Sequence, residues 1–511
     1  MCRCSLACAG SCILLALIFG SLTLASQQLA IPAPASPASK DSAAAFRKRA
    51  VSYSDLSANV RARFPQVVAG EEAFAGFIAE IDRTTAAREL DGEYDHLIFY
   101  LLQSNRFTTE KRIEPALSAD EFVRGLSPAE RALYLAESSR YVPPGERIPR
   151  SVRARMLDFI NALNRPPADE RLGFFRGFLG RTAATGRTAA TGRTAATGRT
   201  AAGGAPIAER LSAEYSRCMR FLYEKEFASR ELANKEEMAA YVASLYQDRG
   251  HSTDTQIEAN FALYIALSAL KADAPATRID KVLIVGPGLD FAPRTDLIDV
   301  VGPQSYQPFA VADALLGLKL SDVSRLSIHC VDINERVVDH LQGLAREKDT
   351  RLSLISGVGD SATRPLADDY KDYFRALGKS IGSESPLEMP GKLAAHLRKS
   401  LRVRPEIVRR ISADRLNVIT ERYEPSPGFD LVVVTNVFPY FKPGELLLAL
   451  NNIAAMTAIG GHLIHNELQA VPASFTESAG LPIVQARTVL IADAKDAPLF
   501  DGVAIHRKVR H

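Results

Sequence analysis

Lys281-Val-Leu-Ile-Val-Gly286-Pro-Gly288-Leu-Asp290 is an apolar run that enters a Gly-Pro-Gly turn. Such a run reads as a buried strand, and glycines directly after it let backbone approach a nucleotide-like ligand where a Cβ would stand in the way. About forty residues on, Leu326-Ser-Ile-His-Cys-Val331 reads as a second strand ending in Asp332, where α/β folds set the carboxylate that binds ribose hydroxyls. Phe429-Asp430-Leu-Val-Val-Val434-Thr435-Asn436-Val437 reads as a strand with a polar tip, and Gly460-Gly461-His-Leu-Ile-His465 as the strand after it. From Lys281 onward strand and helix alternate as in a parallel sheet covered on both faces. At the end, Arg487-Thr-Val-Leu-Ile-Ala492 and Val503-Ala-Ile-His-Arg-Lys-Val509, joined by a segment containing Asp501-Gly502, predict an antiparallel pair.

This order of motifs resembles the class I S-adenosylmethionine (SAM) dependent methyltransferases, and within them the chemotaxis receptor glutamate methyltransferases, over residues 206–511. Phe-Asp-Leu-Val-Val-Val-Thr-Asn-Val-Phe-Pro-Tyr-Phe from Phe429 is similar to that family's Phe-Asp-(apolar)-x-x-x-Arg-Asn-Val-(apolar)-x-Tyr-Phe, and a helix, Gly-Gly, a strand and Glu467 follow it. Arg415-Leu-Asn417-Val-Ile is similar to the family's Asn-Leu-Leu strand, and Gln307-Pro-Phe-Ala-Val-Ala stands where the family has Glu-Pro-Tyr-Ser-Leu-Ala. The resemblance implies a Rossmann-like methyltransferase sheet with an antiparallel last strand, preceded here by an α-helical N-terminal domain. A nucleotide dehydrogenase would not need the final hairpin. The sequence departs from the family in an insertion of about twenty residues, Leu289 to Gln307, in Thr435 for the family's arginine, and in lacking an acid near Ile284 and a third glycine near Asp290.

Each candidate site residue has a physical task. Gly286 and Gly288 would admit the amino-acid half of the cofactor while Pro287 fixes the turn. Asp332 would accept both ribose hydroxyls, and Asp290, from charge and position, would bind the methionine ammonium. The resemblance implies that Asn417 and Val418 border the adenine and that Gln307 stands for the family's glutamate. Asn436 is placed to hydrogen-bond cofactor or substrate, and Tyr440 either orients the methyl acceptor or packs on the next helix. Because methyl transfer is an in-line displacement, the protein chiefly aligns the reactants and needs a base only for a protonated nucleophile. A metal site is not expected at His462, His465 and Glu467, because histidines three apart on a strand point to opposite faces.

With 511 residues, 47% hydrophobic and 24% charged, the chain is long enough for two or three units with real cores. A net charge of +3 and the absence of Trp argue against a nucleic-acid partner. Residues 1–26, with Cys12-Ile-Leu-Leu-Ala-Leu-Ile-Phe19 and a small-residue tail ending at Ser26, have the layout of a signal peptide or an N-terminal anchor. No other membrane segment is expected. The location read from this is exported or membrane-anchored, or cytoplasmic if the start is misassigned. Four of the six cysteines lie in that segment, leaving Cys218 and Cys330 and no disulfide framework.

Residues 27–50 read as a Pro/Ala/Ser linker and 51–179 as an α-helical domain, with Phe74, Phe77, Ile78 and Ile81 on one face and Tyr94, Leu97, Ile98 and Leu101 on another. Ser118-x-x-Glu121 and Ser127-Pro128-x-Glu130 read as capping boxes. The Gly-Arg-Thr-Ala-Ala-Thr repeat of residues 180–205 reads as a linker between domains, 206–272 as a helical lead-in or lid, and 273–511 as the methyltransferase-like domain. The turn Arg249 to Thr255 reads as a lid or as a helix cap built on Ser252 or Asp254. The basic run Lys399 to Arg410 reads as a solvated helix face. Two functions follow: a SAM-dependent methyltransferase acting on an O- or N-nucleophile of a small molecule or protein side chain, or an exported binding or scaffold protein with a degenerate methyltransferase-like domain.

Overall fold

A computed structural model of the chain describes residues 47–64, 70–136, 148–185, 204–289, 296–388, 394–424, 426, 428–495 and 498–509. Residues 1–46, most of the repeat and Asp290 lie outside the described residues. The chain divides into two compact units, one built from residues up to Asp82, Thr255–Asp290 and Gln304–His511, the other from Arg83–Asp254 and Phe291–Pro303.

The first unit carries a seven-stranded sheet. Its strands are β1 (Lys281–Val285), β2 (Ser327–Asp332), β3 (Ile411–Arg415), β4 (Phe429–Val434), β5 (Thr457–His465), β6 (Ile483–Ala492) and β7 (Leu499–Arg507), ordered β6-β7-β5-β4-β1-β2-β3. β1 pairs parallel with β2 and β4, β2 with β3, and β4 with β5, whereas β7 is antiparallel to both its neighbours. The mostly parallel mixed α/β sheet with an antiparallel last strand is therefore present. Its central strands are buried from Val282 to Val285 and from Leu431 to Val434, as continuous apolar strands must be when helices cover both faces. Asp501 and Gly502, expected in the final turn, lie instead inside β7, opposite Val489 and Thr488. Leu468 lies against Gly502 there, where a Cβ would meet its Cδ1 at 2.7 Å.

Between β2 and β3 stands a second, three-stranded antiparallel sheet, Arg351–Gly359, His396–Val403 and Gly382–Ser385. The first part of the basic run, Lys399–Val403, is thus strand, and only Pro405–Val408 is a short helical turn, between Arg404 and Arg409. In the strand part Lys399 pairs with Glu384 at 3.0 Å and Arg402 with Asp349 at 2.7 Å.

Residues 48–82 also belong to the sheet unit rather than to a helical domain. Lys48–Ala50 pairs antiparallel with Glu421–Tyr423, and Val51, Leu56, Val60, Phe64, Phe74 and Ile81 share one core with Val418, Ile419, Leu447 and Tyr423. The two apolar stripes read on either side of Arg83 lie on one helix, Glu71–Gln103, which runs through the division between the units.

The second unit is helical. Ser127 caps Pro128–Ala136 as expected, its hydroxyl 2.6 Å from Glu130 and its N–H 2.9 Å from the same carboxylate. Ser118 does not cap: it lies inside Pro115–Arg124, which starts on Pro115 with Glu114 as the cap, and its buried hydroxyl is 2.5 Å from that of Tyr215. The helices on either side of the repeat, Glu170–Thr185 and Gly204–Glu226, belong to the same unit, so the repeat is not a division between units. Tyr215 and Tyr134, whose hydroxyl donates to the Arg220 carbonyl at 3.0 Å, tie the later helix to the earlier ones. Neither Ser252 nor Asp254 is an N-cap, since Gln256 caps Ile257–Asp273, while Arg249 is the C-cap of the preceding helix Lys235–Asp248. The turn packs on the Glu71–Gln103 helix, with the His251 N–H 2.8 Å from the Arg88 carbonyl and Arg249 3.1 Å from Asp95. Among the described residues no helix is long and apolar enough to cross a membrane.

Candidate functional site

Parallel strands end together, so β1, β2 and β4 deliver their last residues to one rim of the sheet. Gly286 and Gly288 sit there in the left-handed region, at φ +66° and +72°. A Cβ on Gly286 would stand 2.6 Å from Val437 Cγ2, so the β1 turn and the residue after the β4 tip touch across a bare backbone. At the end of β2, Asp332 accepts the Asn334 N–H at 2.9 Å and further N–H groups from Ile333 and Gly288. Burial outweighs these bonds and pushes its carboxyl up to about 6. Asp332 is therefore held against the glycine turn.

The β4 tip is built more elaborately. Asn436 is one of two described non-glycine residues at positive φ, +58°. That conformation is costly for an L side chain and acceptable for asparagine when its amide bonds locally. Its N–H donates to Asn466 Oδ1 at 3.0 Å, and Asn466 returns an N–H to Asn436 Oδ1 at 3.1 Å. The Val437 N–H donates to Glu467 Oε1 at 2.9 Å. Asn466 also reaches Asp501 on β7 at 3.4 Å. On the preceding residue, Thr435 Oγ1 accepts from Gln307 Nε2 at 2.6 Å, leaving Gln307 Oε1 buried with no donor. Burial and the charge of Asp501 push Glu467 up to about 8, and burial pushes Asp501 up to about 7.

Five of the expected residues thus share one rim: Gly286, Gly288, Gln307, Asp332 and Asn436. Asn417 follows at the end of β3, where its side chain accepts the Ile419 N–H at 3.1 Å and closes a local turn. Val418 is in the core, and its carbonyl takes the Asn452 amide at 2.9 Å. Tyr440 is half-buried and packs on the same core. His465 and His506 form a buried pair, Nε2 to Nε2 at 2.9 Å. Sequence reading passed over Asn466, Asp501 and Glu258. The signal for Glu258 was in view: an acid followed by a nearly unbroken apolar helix, Ile257 to Leu270, is buried and must be bonded, as it is by Tyr370 at 2.7 Å and the Gly357 N–H at 2.8 Å.

No family model matches the sequence, and no curated protein is found similar to it. Similar solved structures include a TehB-like SAM-dependent methyltransferase from Corynebacterium glutamicum, 14% identical over 47% of this chain and 87% of that one, with a TM-score of 0.24. The N-methyltransferase NodS from Bradyrhizobium japonicum, in complex with S-adenosyl-L-homocysteine (SAH), is 13% identical over 56% and 98% of the two chains, with a TM-score of 0.25. Magnesium protoporphyrin IX methyltransferase from Synechocystis, with bound SAM, is 9% identical over 56% and 93%, with a TM-score of 0.25. The reading of the site rests on the strand order and the strand-tip geometry, not on these likenesses.

Proposed function

We propose that this chain is a SAM-dependent methyltransferase acting on an O- or N-nucleophile. The observation that carries it is the pairing of two left-handed glycines after β1 with a carboxylate at the end of β2, in a sheet whose last strand alone runs antiparallel. The residues fit the cofactor in two further respects. Gly286 offers backbone with no room for a side chain, and Gln307 Oε1 is a buried acceptor with no donor of its own. Gly286 and Gly288 would hold the amino-acid half, Asp332 the ribose, and Asn417 the adenine edge. The cofactor supplies an electrophilic methyl group on a sulfonium. The chain's part is to align the nucleophile with that methyl and keep water out, for which the Asn436–Asn466 pair gives a rigid strand tip.

Calorimetric titration of SAM and SAH is the test, made on the whole chain because residues 48–82 are part of the sheet unit's core. Micromolar binding that Asp332→Ala abolishes, with the circular dichroism unchanged, is the expected result. Unchanged affinity in that variant would refute the site. The closer likeness to the chemotaxis receptor glutamate methyltransferases rests on sequence motifs alone, chiefly Phe429 to Glu467, with Arg415 to Ile419 and Gln307 to Ala312 beside it. The second reading, an exported scaffold with a degenerate site, draws on one observation: the Asp332 carboxylate already accepts N–H groups from Gly288, Ile333 and Asn334. No binding at millimolar SAM would favour it. Export itself is tested by a mature N-terminus at Ser26.

A further inference from the structure

His329, in the middle of β2, is buried and lies directly across from Ser412 on β3, the last strand of the sheet. Its ring is held at both nitrogens. Nδ1 is 2.8 Å from the Ser412 hydroxyl, and Nε2 is 2.7 Å from the Tyr423 hydroxyl and 3.5 Å from Asp414 Oδ2. Tyr423 Oη is in turn 3.3 Å from that same carboxylate oxygen. Serine, histidine, tyrosine and aspartate thus form one connected chain, all of it within the sheet unit. The middle of this chain is closed and its ends are open: His329 and Tyr423 are 4% and 2% exposed, whereas Ser412 is exposed and the Asp414 side chain is 45% exposed.

The directions of these hydrogen bonds follow from the aspartate. A carboxylate only accepts, so the Tyr423 hydroxyl gives its proton to Asp414 and takes one from His329 Nε2–H. Burial outweighs the Asp414 charge and holds the imidazole below its usual range, so at neutral pH the ring is neutral and carries one proton. With that proton on Nε2, Nδ1 keeps its lone pair and accepts from the Ser412 hydroxyl. The other acceptor near the hydroxyl, the Ile328 carbonyl, is 3.5 Å away and a poor competitor. Packing holds the ring in this pose, with Tyr423 edge-on at 5.3 Å and Phe429 parallel at 6.4 Å. An open hydroxyl bonded to a neutral imidazole, itself oriented from behind by an acid, is the arrangement that activates a serine. It is separate from the cofactor rim. His329 stands three residues before Asp332 on one strand, so the two side chains leave opposite faces of the sheet.

We infer that Ser412 is a second reactive centre, a nucleophile that takes the acyl group of an activated ester, with His329 as its general base and Tyr423 and Asp414 as positioning residues. Ser412 Oγ bonds to the ester carbonyl carbon as its proton passes to His329 Nδ1. The ester C–O bond breaks, and the departing oxygen takes that proton from Nδ1. Water then adds at the same carbon, its proton passing through Nδ1 to Ser412 Oγ as the acyl–serine bond breaks, and a carboxylic acid leaves. No step uses a methyl donor, so this centre stands whether or not the methyltransferase reading does.

The full chain is treated with a fluorophosphonate, which phosphonylates an activated serine with loss of fluoride, and the adducts are located by mass spectrometry. Hydrolysis of p-nitrophenyl acetate measures turnover. Ser412 should be modified ahead of every other serine, and Ser412→Ala should abolish both that adduct and the turnover. Asp414→Ala, at a side chain open to solvent, and Tyr423→Phe, which keeps the ring, should each slow modification by about tenfold or more with the circular dichroism unchanged. Nitrogen NMR should find His329 protonated at Nε2 in the wild type, with the proton shifted toward Nδ1 in Asp414→Ala, a change that a merely structural aspartate would not produce. Modification of Ser412 no faster than that of other exposed serines overturns the inference. So does a rate that neither positioning variant alters, or a wild-type His329 protonated at Nδ1. The two wild-type measurements decide the matter even where a variant fails to fold.

Discussion

Asn436 and Gly286 show how single residues set the rim. Asparagine at φ +58° is tolerable because Asn466 bonds both its N–H and its side chain. At Gly286 no such compensation exists, and a Cβ would strike Val437 at 2.6 Å. Gly286→Ala should therefore cost ~1–3 kcal/mol of stability by urea unfolding and weaken SAH binding more than a distant variant of equal stability does. The buried acids make a second prediction. Glu467 is raised from 4.5 to about 8 and Asp501 from 3.8 to about 7. Between those limits the folded state holds protons that the unfolded chain has lost, so their stabilising effect is full below the ordinary carboxyl range and is lost as pH rises through 7 and 8. The melting temperature of Glu467→Gln should consequently fall less than that of the wild type over this rise, and parallel profiles would count against the raised carboxyl. Gly286, Gly288, Asp332 and Asn436 were legible in the sequence because strand tips follow from apolar runs. Asn466 and Asp501 were not, because their role depends on β7 lying beside β5, a pairing of residues about forty apart that no local pattern encodes.

At the scale of elements, periodicity gave the right kinds of structure and often the wrong company. The stripe Phe74, Phe77, Ile78 and Ile81 is a real helix face, yet it covers the sheet unit's core together with Phe64 and Val60. An amphipathic stripe states that a face is buried and is silent on what buries it. Phe74, 1% exposed, provides the test: Phe74→Ala should destabilise the sheet unit by ~3–5 kcal/mol, read as faster amide exchange in Pro443–Met456 and Glu421–Tyr423. If exchange rises only in the helices after Arg83, the placement of residues 48–82 is wrong. Capping reads better where its partners are adjacent. Ser127 and Glu130 close a box three residues wide, whereas Ser118 met the same pattern and was claimed by Tyr215, 97 residues away.

At the scale of the whole molecule, neither unit is a continuous stretch of chain. The insertion after β1, which matches no family pattern, supplies the helical unit with one of its ties. Asp299 on the short helix Asp296–Asp299 accepts from the Ser104 hydroxyl at 2.6 Å, the Asn105 N–H at 2.8 Å and Arg112 at 2.7 Å. The Ile298 carbonyl accepts from Arg171 at 2.5 Å. Sequence spacing located the insertion but gave no sign of its destination, because a buried aspartate finds its donors through the fold and not along the chain. The carboxylate is 8% exposed at the residue level, so removing it leaves donors unsatisfied and Arg112 without its counter-charge. Asp299→Ala should cost the helical unit ~3–5 kcal/mol, the range for breaking a buried pair on one side. Hydrogen exchange should rise at Ser104 to Arg112 and around Arg171, and a fragment spanning Arg83–Asp254 alone should show the same loss. Adding a peptide of residues 296–303 should restore protection to that fragment, and a fragment already as protected as the full chain would show that the insertion is not a structural part of this unit.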